Sequence, residues 1–350
     1  MMTPEDIPIS FSITPGKSDS PLIAEYRETF KERLLENQSF EELLTGFVKK
    51  HFMRACQRMM PLLEIVPINN LHLKLNISSP SSSTLATYEY GKSVTAAGKY
   101  FFTAEPYLIL QYLVNYVDDN IPLCPDACYT WEHELIHMLD HSYNPKLEYN
   151  QQRPDVTEVL VDFILSFRSE GIAELFFFMK NHSQYRSIKA ARTMFLRKME
   201  FLRNQPWDNP RFARVASQVI KGDHNLYSIG TWMVLHVLGC KAYRHMTTEA
   251  ALVAGKIKKR QEMTDQEIIS MIRQALDIDN YSFIDCLTKP GPDVKPFVEY
   301  EEMYDLARSV ELCKADLERN WSKPSQLSGD PQIVRLFRLL RPKPEPVLSI

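Results

Sequence analysis

Tyr129-Thr130-Trp131-Glu132-His133-Glu134-Leu135-Ile136-His137-Met138-Leu139-Asp140-His141 is the stretch on which the reading of this chain turns. Its apolar residues, Trp131, Leu135, Ile136, Met138 and Leu139, recur at three- and four-residue steps, the period of a helix. Apolar spacers on both sides of the polar ones place that helix in a core instead of on a solvated face. His133 and His137, four residues apart, then project from one side of it. Unpaired polar groups at buried positions cost about 1–3 kcal/mol each, so the pair needs either hydrogen-bonding neighbours or an ion.

Upstream of this helix, Leu108, Ile109, Tyr112, Leu113 and Tyr116 form a stripe that begins after Pro106 and stops at Asp118-Asp119-Asn120. Leu71-His72-Leu73-Lys74-Leu75-Asn76-Ile77 alternates strictly and reads as a half-buried strand. Ala86–Tyr90 and Lys99–Thr103 read as further short strands, and this is the only strand-like region expected. A helix sets in at Pro21, and Ser39 with Glu42 reads as a capping box for a second, from Phe40 to about Met60. Residues 1–20 mix Pro, Ser, Thr and Gly and are expected to form a flexible tail or a short edge segment.

Downstream, Asp155 with Glu158 resembles another helix start, after which Val156, Leu160, Phe163 and Phe167 mark an inner face. Helical patterns follow at Ile188–Leu202, Phe212–Ile220, Tyr227–Leu238, Thr248–Lys259, Asp265–Leu276, Tyr300–Arg319 and Gln332–Leu340. Thr288-Lys289-Pro290-Gly291-Pro292 breaks the run, and residues 341–350 are a Pro-rich tail. The expected fold is α+β and predominantly helical. A mixed α/β part at 21–145, with a small sheet and the His133–His137 helix, is followed by a helical part at 146–340.

With 350 residues, 44% of them apolar, the chain can bury a sizeable core. Its 41 Lys+Arg against 44 Asp+Glu leave a net charge of −3, which gives no global field to gather nucleic acid or a membrane surface, so neither is an expected partner. Eleven glycines against 22 prolines suit helices joined by Pro-marked connections. Six cysteines are too few for a disulfide scaffold and read as reduced thiols. The start of the chain lacks a secretory pattern, and no window reaches the roughly 18 apolar residues of a membrane span. The expected location is cytoplasmic, or outside the cell by a route without a conventional signal peptide.

His133-Glu134-Leu135-Ile136-His137 is an H-E-x-x-H motif on a helix. Two neutral imidazoles on one face suit a single Zn2+ ion, and the intervening Glu134 can act as general base toward an activated water, which is the chemistry of amide hydrolysis. A catalytic zinc wants a third protein ligand. His141 continues the four-residue series but drifts about 40° per step, which favours an outer or surface role. Asp140 is better aimed to orient an imidazole. In Ser169-Glu170-Gly171-Ile172-Ala173-Glu174-Leu175, the stripe that includes Phe163 and Phe167 continues at 170/171, 174 and 178, so Glu170 and Glu174 fall where apolar residues are expected.

At this point the chain resembles the gluzincin metallopeptidases, in which an HExxH helix is followed by a second helix that supplies a glutamate, often within an E-G-x-A-E-like sequence. The resemblance covers roughly residues 70–240 and implies a zincin-like catalytic part. It implies His133, His137 and Glu170 as ligands of one zinc ion, Glu134 as catalytic base and Glu174 as an outer partner, with Glu174 the alternative ligand. It also implies a Tyr or His on a later helix that donates to the oxyanion; Tyr227 is the first candidate and His224 the second, against a packing role for Tyr227. The substrate is then a protein or peptide, and the strand before the metal helix, Lys99–Thr103, is expected to be an edge that receives it.

Two other functions fit the same residues. One is a narrow-specificity bacterial effector protease, suggested by a lone zincin-like core. The other is a non-catalytic helical interaction protein with a structural metal site, suggested by the long helical remainder after residue 240. Cys124-x3-Cys128 reads as two buried thiols, with a second metal or a redox pair as the alternative, and Lys256-Ile257-Lys258-Lys259-Arg260 as a solvated face.

Overall fold

Alternation of apolar and polar residues builds the sheet. In the computed structural model, which describes residues 9–14, 21–32, 34, 37–64, 71–77, 85–90, 100–117, 125–143, 156–181, 188–203, 225–241, 263–288 and 297, strand β2 (Leu71–Asn76) buries Leu71, Leu73 and Leu75 and leaves His72, Lys74 and Asn76 half-buried. It pairs in parallel with β1 (Ile9–Thr14) on one side and with β4 (Tyr100–Ala104) on the other. Strand β3 (Ala86–Tyr90) closes the row antiparallel to β4, so the order is β1-β2-β4-β3.

Of the two alternatives for residues 1–20, the short edge segment is the one formed at Ile9-Ser10-Phe11-Ser12-Ile13-Thr14, which carries the same alternation as β2, with Ile9 opposite Leu71. The signal was present but short, and its partner lies some 62 residues along the chain. The expectation that the strand at Lys99–Thr103 is an edge is corrected: β4 pairs on both sides and is interior, and β3 occupies the edge on that side.

The chain divides into two compact units, one made of Met1–Ser142 with Thr264–Ile269, the other of Tyr143–Met263 with Ser270–Ile350. In the first, helix α1 spans Pro21–Phe30 and α2 spans Phe40–Leu63. The capping box that starts α2 forms as expected: the Glu42 N–H donates to Ser39 Oγ at 3.1 Å, and the Ser39 N–H to Glu42 Oε2 at 2.7 Å. Helices α3 (Pro106–Val117) and α4 (Pro125–Tyr143) follow. Phe52 of α2 joins sheet to helix: its ring lies 5.1 Å from Phe102 of β4 and meets Trp131 of α4 edge-on at 5.3 Å. That cluster buries the inner side of α4 and so sets which side carries the imidazoles.

The second unit holds α5 (Val156–Ala173), α6 (Leu175–Asn181), α7 (Ile188–Arg203), α8 (Asn225–Lys241) and α10 (Asn280–Thr288), with the later part of α9 (Asp265–Leu276). Thr264 and Glu267 box the start of α9, with the Thr264 N–H donating to Glu267 Oε2 at 2.8 Å and the Glu267 N–H to Thr264 Oγ1 at 3.3 Å. The short helices α6 and α10 were not anticipated. Asp279, which accepts from the Ser282 N–H at 2.8 Å, is the cap that signals α10. Aromatic contacts fill the core, Phe167 on Phe195 at 5.3 Å and Phe178 on Trp232 at 5.3 Å. The expected helices at 212–220, 248–259, 300–319 and 332–340, and the tail 341–350, lie outside the described residues. Among the described residues, no helix is long and apolar enough to cross a membrane.

Candidate metal centre

Helix α4 places its two imidazoles side by side. The rings of His133 and His137 meet edge-on with centroids 4.7 Å apart, and their Nε2 atoms are 3.0 Å apart. Around them Leu135, Ile136, Met138 and Leu139 are fully buried, while the two histidines are half-buried. At 3.0 Å one neutral ring can donate to the other, or both lone pairs can turn to one cation. Two nitrogens of a tetrahedral zinc site, each about 2.0–2.1 Å from the ion, sit about 3.3 Å apart, so an adjustment of a few tenths of an ångström converts one arrangement into the other. The donor set therefore fits a zinc ion.

Glu134 follows His133 directly and is 9% exposed. Asp140, three residues after His137, is also buried. His141 is half-buried and stands edge-on to Tyr88 of the edge strand β3, with centroids 6.3 Å apart. Its ring is thus engaged with β3.

In the second unit, Glu170 lies on α5 and Glu174 at the turn between α5 and α6. Both are half-buried, and the buried stripe between them runs through Gly171, Ile172 and Ala173. The turn keeps its helical bonding, since the Glu174 N–H donates to the Glu170 carbonyl at 3.0 Å and the Phe178 N–H to the Glu174 carbonyl at 2.9 Å. Gly171 explains why a glycine follows Glu170. A Cβ there would come within 2.2 Å of the Gly230 carbonyl on α8, so α5 and α8 cross with backbones in contact. Tyr227, on the first turn of α8, is 36% exposed, and its carbonyl accepts from the Thr231 hydroxyl at 2.8 Å. Those two helices carry Glu170 and Tyr227, respectively. His224, Cys124 and the 256–260 run lie outside the described residues.

A charged pair beside the motif escaped the sequence reading. Glu132, 3% exposed, receives Arg58 Nη1 from α2 at 2.5 Å. Burial pushes its carboxyl above the usual range, with Arg58 opposing. The same burial, helped by the Glu132 charge, raises the Cys56 thiol to about 12. The signal that was available was a glutamate next to Trp131 on a helix otherwise directed into a core.

Compared with protein-family models, curated proteins and solved structures, the chain matches none.

Proposed function

We propose that the protein is a zinc-dependent peptidase of gluzincin type, in which His133, His137 and Glu170 hold one Zn2+ ion and Glu134 is the general base. The observation that carries this reading is the pair of Nε2 atoms 3.0 Å apart on an apolar helix with Glu134 between their residues. A second support is Glu170 itself, a half-buried carboxylate on α5 beside the buried Gly171, Ile172 and Ala173. Two nitrogens and one carboxylate oxygen are the donor set of a three-ligand zinc site that keeps a position open.

Zinc, when bound, polarises a carbonyl and brings the pKa of water down to about 7. Glu134 takes the proton of the attacking water and returns it to the leaving nitrogen, as a carboxylate one residue along from a ligand can do. Its burial keeps that proton from bulk solvent. Tyr227 donates to the oxyanion as the tetrahedral centre forms, with His224 the second candidate for that donor. Glu174 and Asp140 hold the ligands in place from outside, as hydrogen-bonded carboxylates commonly do. The zincin-like arrangement, a small mixed sheet beside the metal helix, gives β3 as the edge on which an extended peptide can pair through its backbone.

The test is zinc content together with cleavage. Purified full-length protein is expected to carry one zinc per chain and to cleave a peptide library, with Glu134→Gln inactive. Absence of stoichiometric zinc, or undiminished cleavage by Glu134→Gln, overturns the reading.

A further inference from the structure

We propose that Arg58 is the positioning residue of the metal helix: its ion pair with Glu132 fixes the rotation of α4 and so the direction in which His133 and His137 point. This rests on the reading of those imidazoles as zinc ligands.

Arg58 reaches α4 from α2 at two points one turn apart, with Nη1 2.5 Å from Glu132 Oε1 and its guanidinium carbon 6.0 Å from the centre of the Tyr129 ring. Its Nε lies 3.7 Å from Asp265 Oδ2 in the first turn of α9. One planar cation thus contacts side chains of two other helices, and its donors are directional where an ammonium's are not. Trp131, Leu135, Met138 and Leu139 of this helix are buried apolar side chains. Apolar burial rewards area and not direction, so by itself it tolerates a rotated helix. At about 100° per residue, His133 leaves α4 roughly 100° from Glu132, and His137 roughly 140° from it. Tyr129, the second point Arg58 touches, leaves the helix about 60° from Glu132, so the two contacts flank the imidazoles on one side and resist rotation of α4. A metal site needs its ligands held within about 0.5 Å and 10–20°, a tolerance that a directional contact supplies and a greasy one does not. Buried ion pairs add little to stability over an apolar replacement, which leaves geometry as the reason to retain one here.

The experiment compares full-length wild type with Arg58→Met, Arg58→Lys and the double variant Arg58→Met/Glu132→Met, which removes the stranded carboxylate if the single change fails to fold. Zinc affinity is measured by competition with a chromophoric chelator, and imidazole nitrogen resonances are recorded on metal-free protein. Expected are a 10- to 100-fold loss of zinc affinity in folded Arg58→Met and in the double variant, partial recovery in Arg58→Lys, and displaced His133 and His137 resonances with those of His72 and His236 unmoved. A folded double variant that keeps wild-type affinity and resonances overturns the proposal. If wild type itself takes up no zinc, the peptidase reading falls, and the imidazole resonances alone decide the role of Arg58.

Discussion

Gly171 of α5 and Gly230 of α8 meet backbone to backbone: a Cβ on Gly230 would stand 2.2 Å from the Phe167 carbonyl oxygen and 2.9 Å from the Gly171 nitrogen. No flexible side chain is there to yield, so room for a methyl group comes only from moving a helix. Gly171→Ala and Gly230→Ala are each expected to destabilise the second unit by more than the 1–3 kcal/mol typical of an overpacked core. Urea unfolding followed by circular dichroism measures it. A midpoint unchanged in both variants contradicts the close crossing.

At the proposed site, Glu134→Gln is expected to retain zinc and lose at least 10²-fold in kcat, the usual contribution of general-base catalysis. His133→Ala, His137→Ala and Glu170→Ala lose metal and activity together. Elemental analysis beside a fluorogenic-peptide assay separates the two classes. Glu174→Ala retaining no zinc while Glu170→Ala retains all of it would exchange the roles of the two glutamates.

His236 titrates inside the second unit. Burial, opposed by a hydrogen bond from the imidazole to the Cys286 backbone carbonyl and assisted by Arg192, lowers its pKa to about 4. Its folded value lies below the unfolded value of about 6.5, so the unfolded chain binds more protons between those two pH values. The stability this group contributes is complete above pH about 6.5 and is lost as the pH falls toward 4, a change on the order of 3 kcal/mol. Denaturant midpoints across that window are expected to show the loss in wild type and a flatter profile in His236→Phe. Equal slopes would remove His236 from the account.

Cys56 is buried, and its thiol is raised to about 12. Because the thiolate is the reactive form, Cys56 is expected to resist alkylation at pH 8 in the native protein and to react once the chain is unfolded. Mass spectrometry after timed iodoacetamide exposure reads this directly. Rapid native labelling at Cys56 would mean that the core around Phe52 opens.

Much of the local structure was legible from spacing. The Ser39–Glu42 box, the bounds of α9 and the common face of His133 and His137 depend on residues three or four apart, whose geometry is set by the helix itself. Glu170 was legible as a polar residue near an apolar stripe, but the glycine crossing beside it was not, because Gly230 lies on another helix. Arg58 and Glu132 are separated by 74 residues, and no periodicity connects them.

The amino-acid sequence alone determined the helical periods, the start of α2 and the chemistry available at His133, Glu134 and His137, since each follows from a residue's type and its distance to the next. Only the tertiary structure decided that Ile9–Thr14 joins the sheet, that β4 is interior with β1 and β3 at the edges, and that Arg58 of α2 pairs with Glu132 of α4. Those outcomes depend on contacts between distant segments, whose energies come from burial and pairing once the chain has closed on itself.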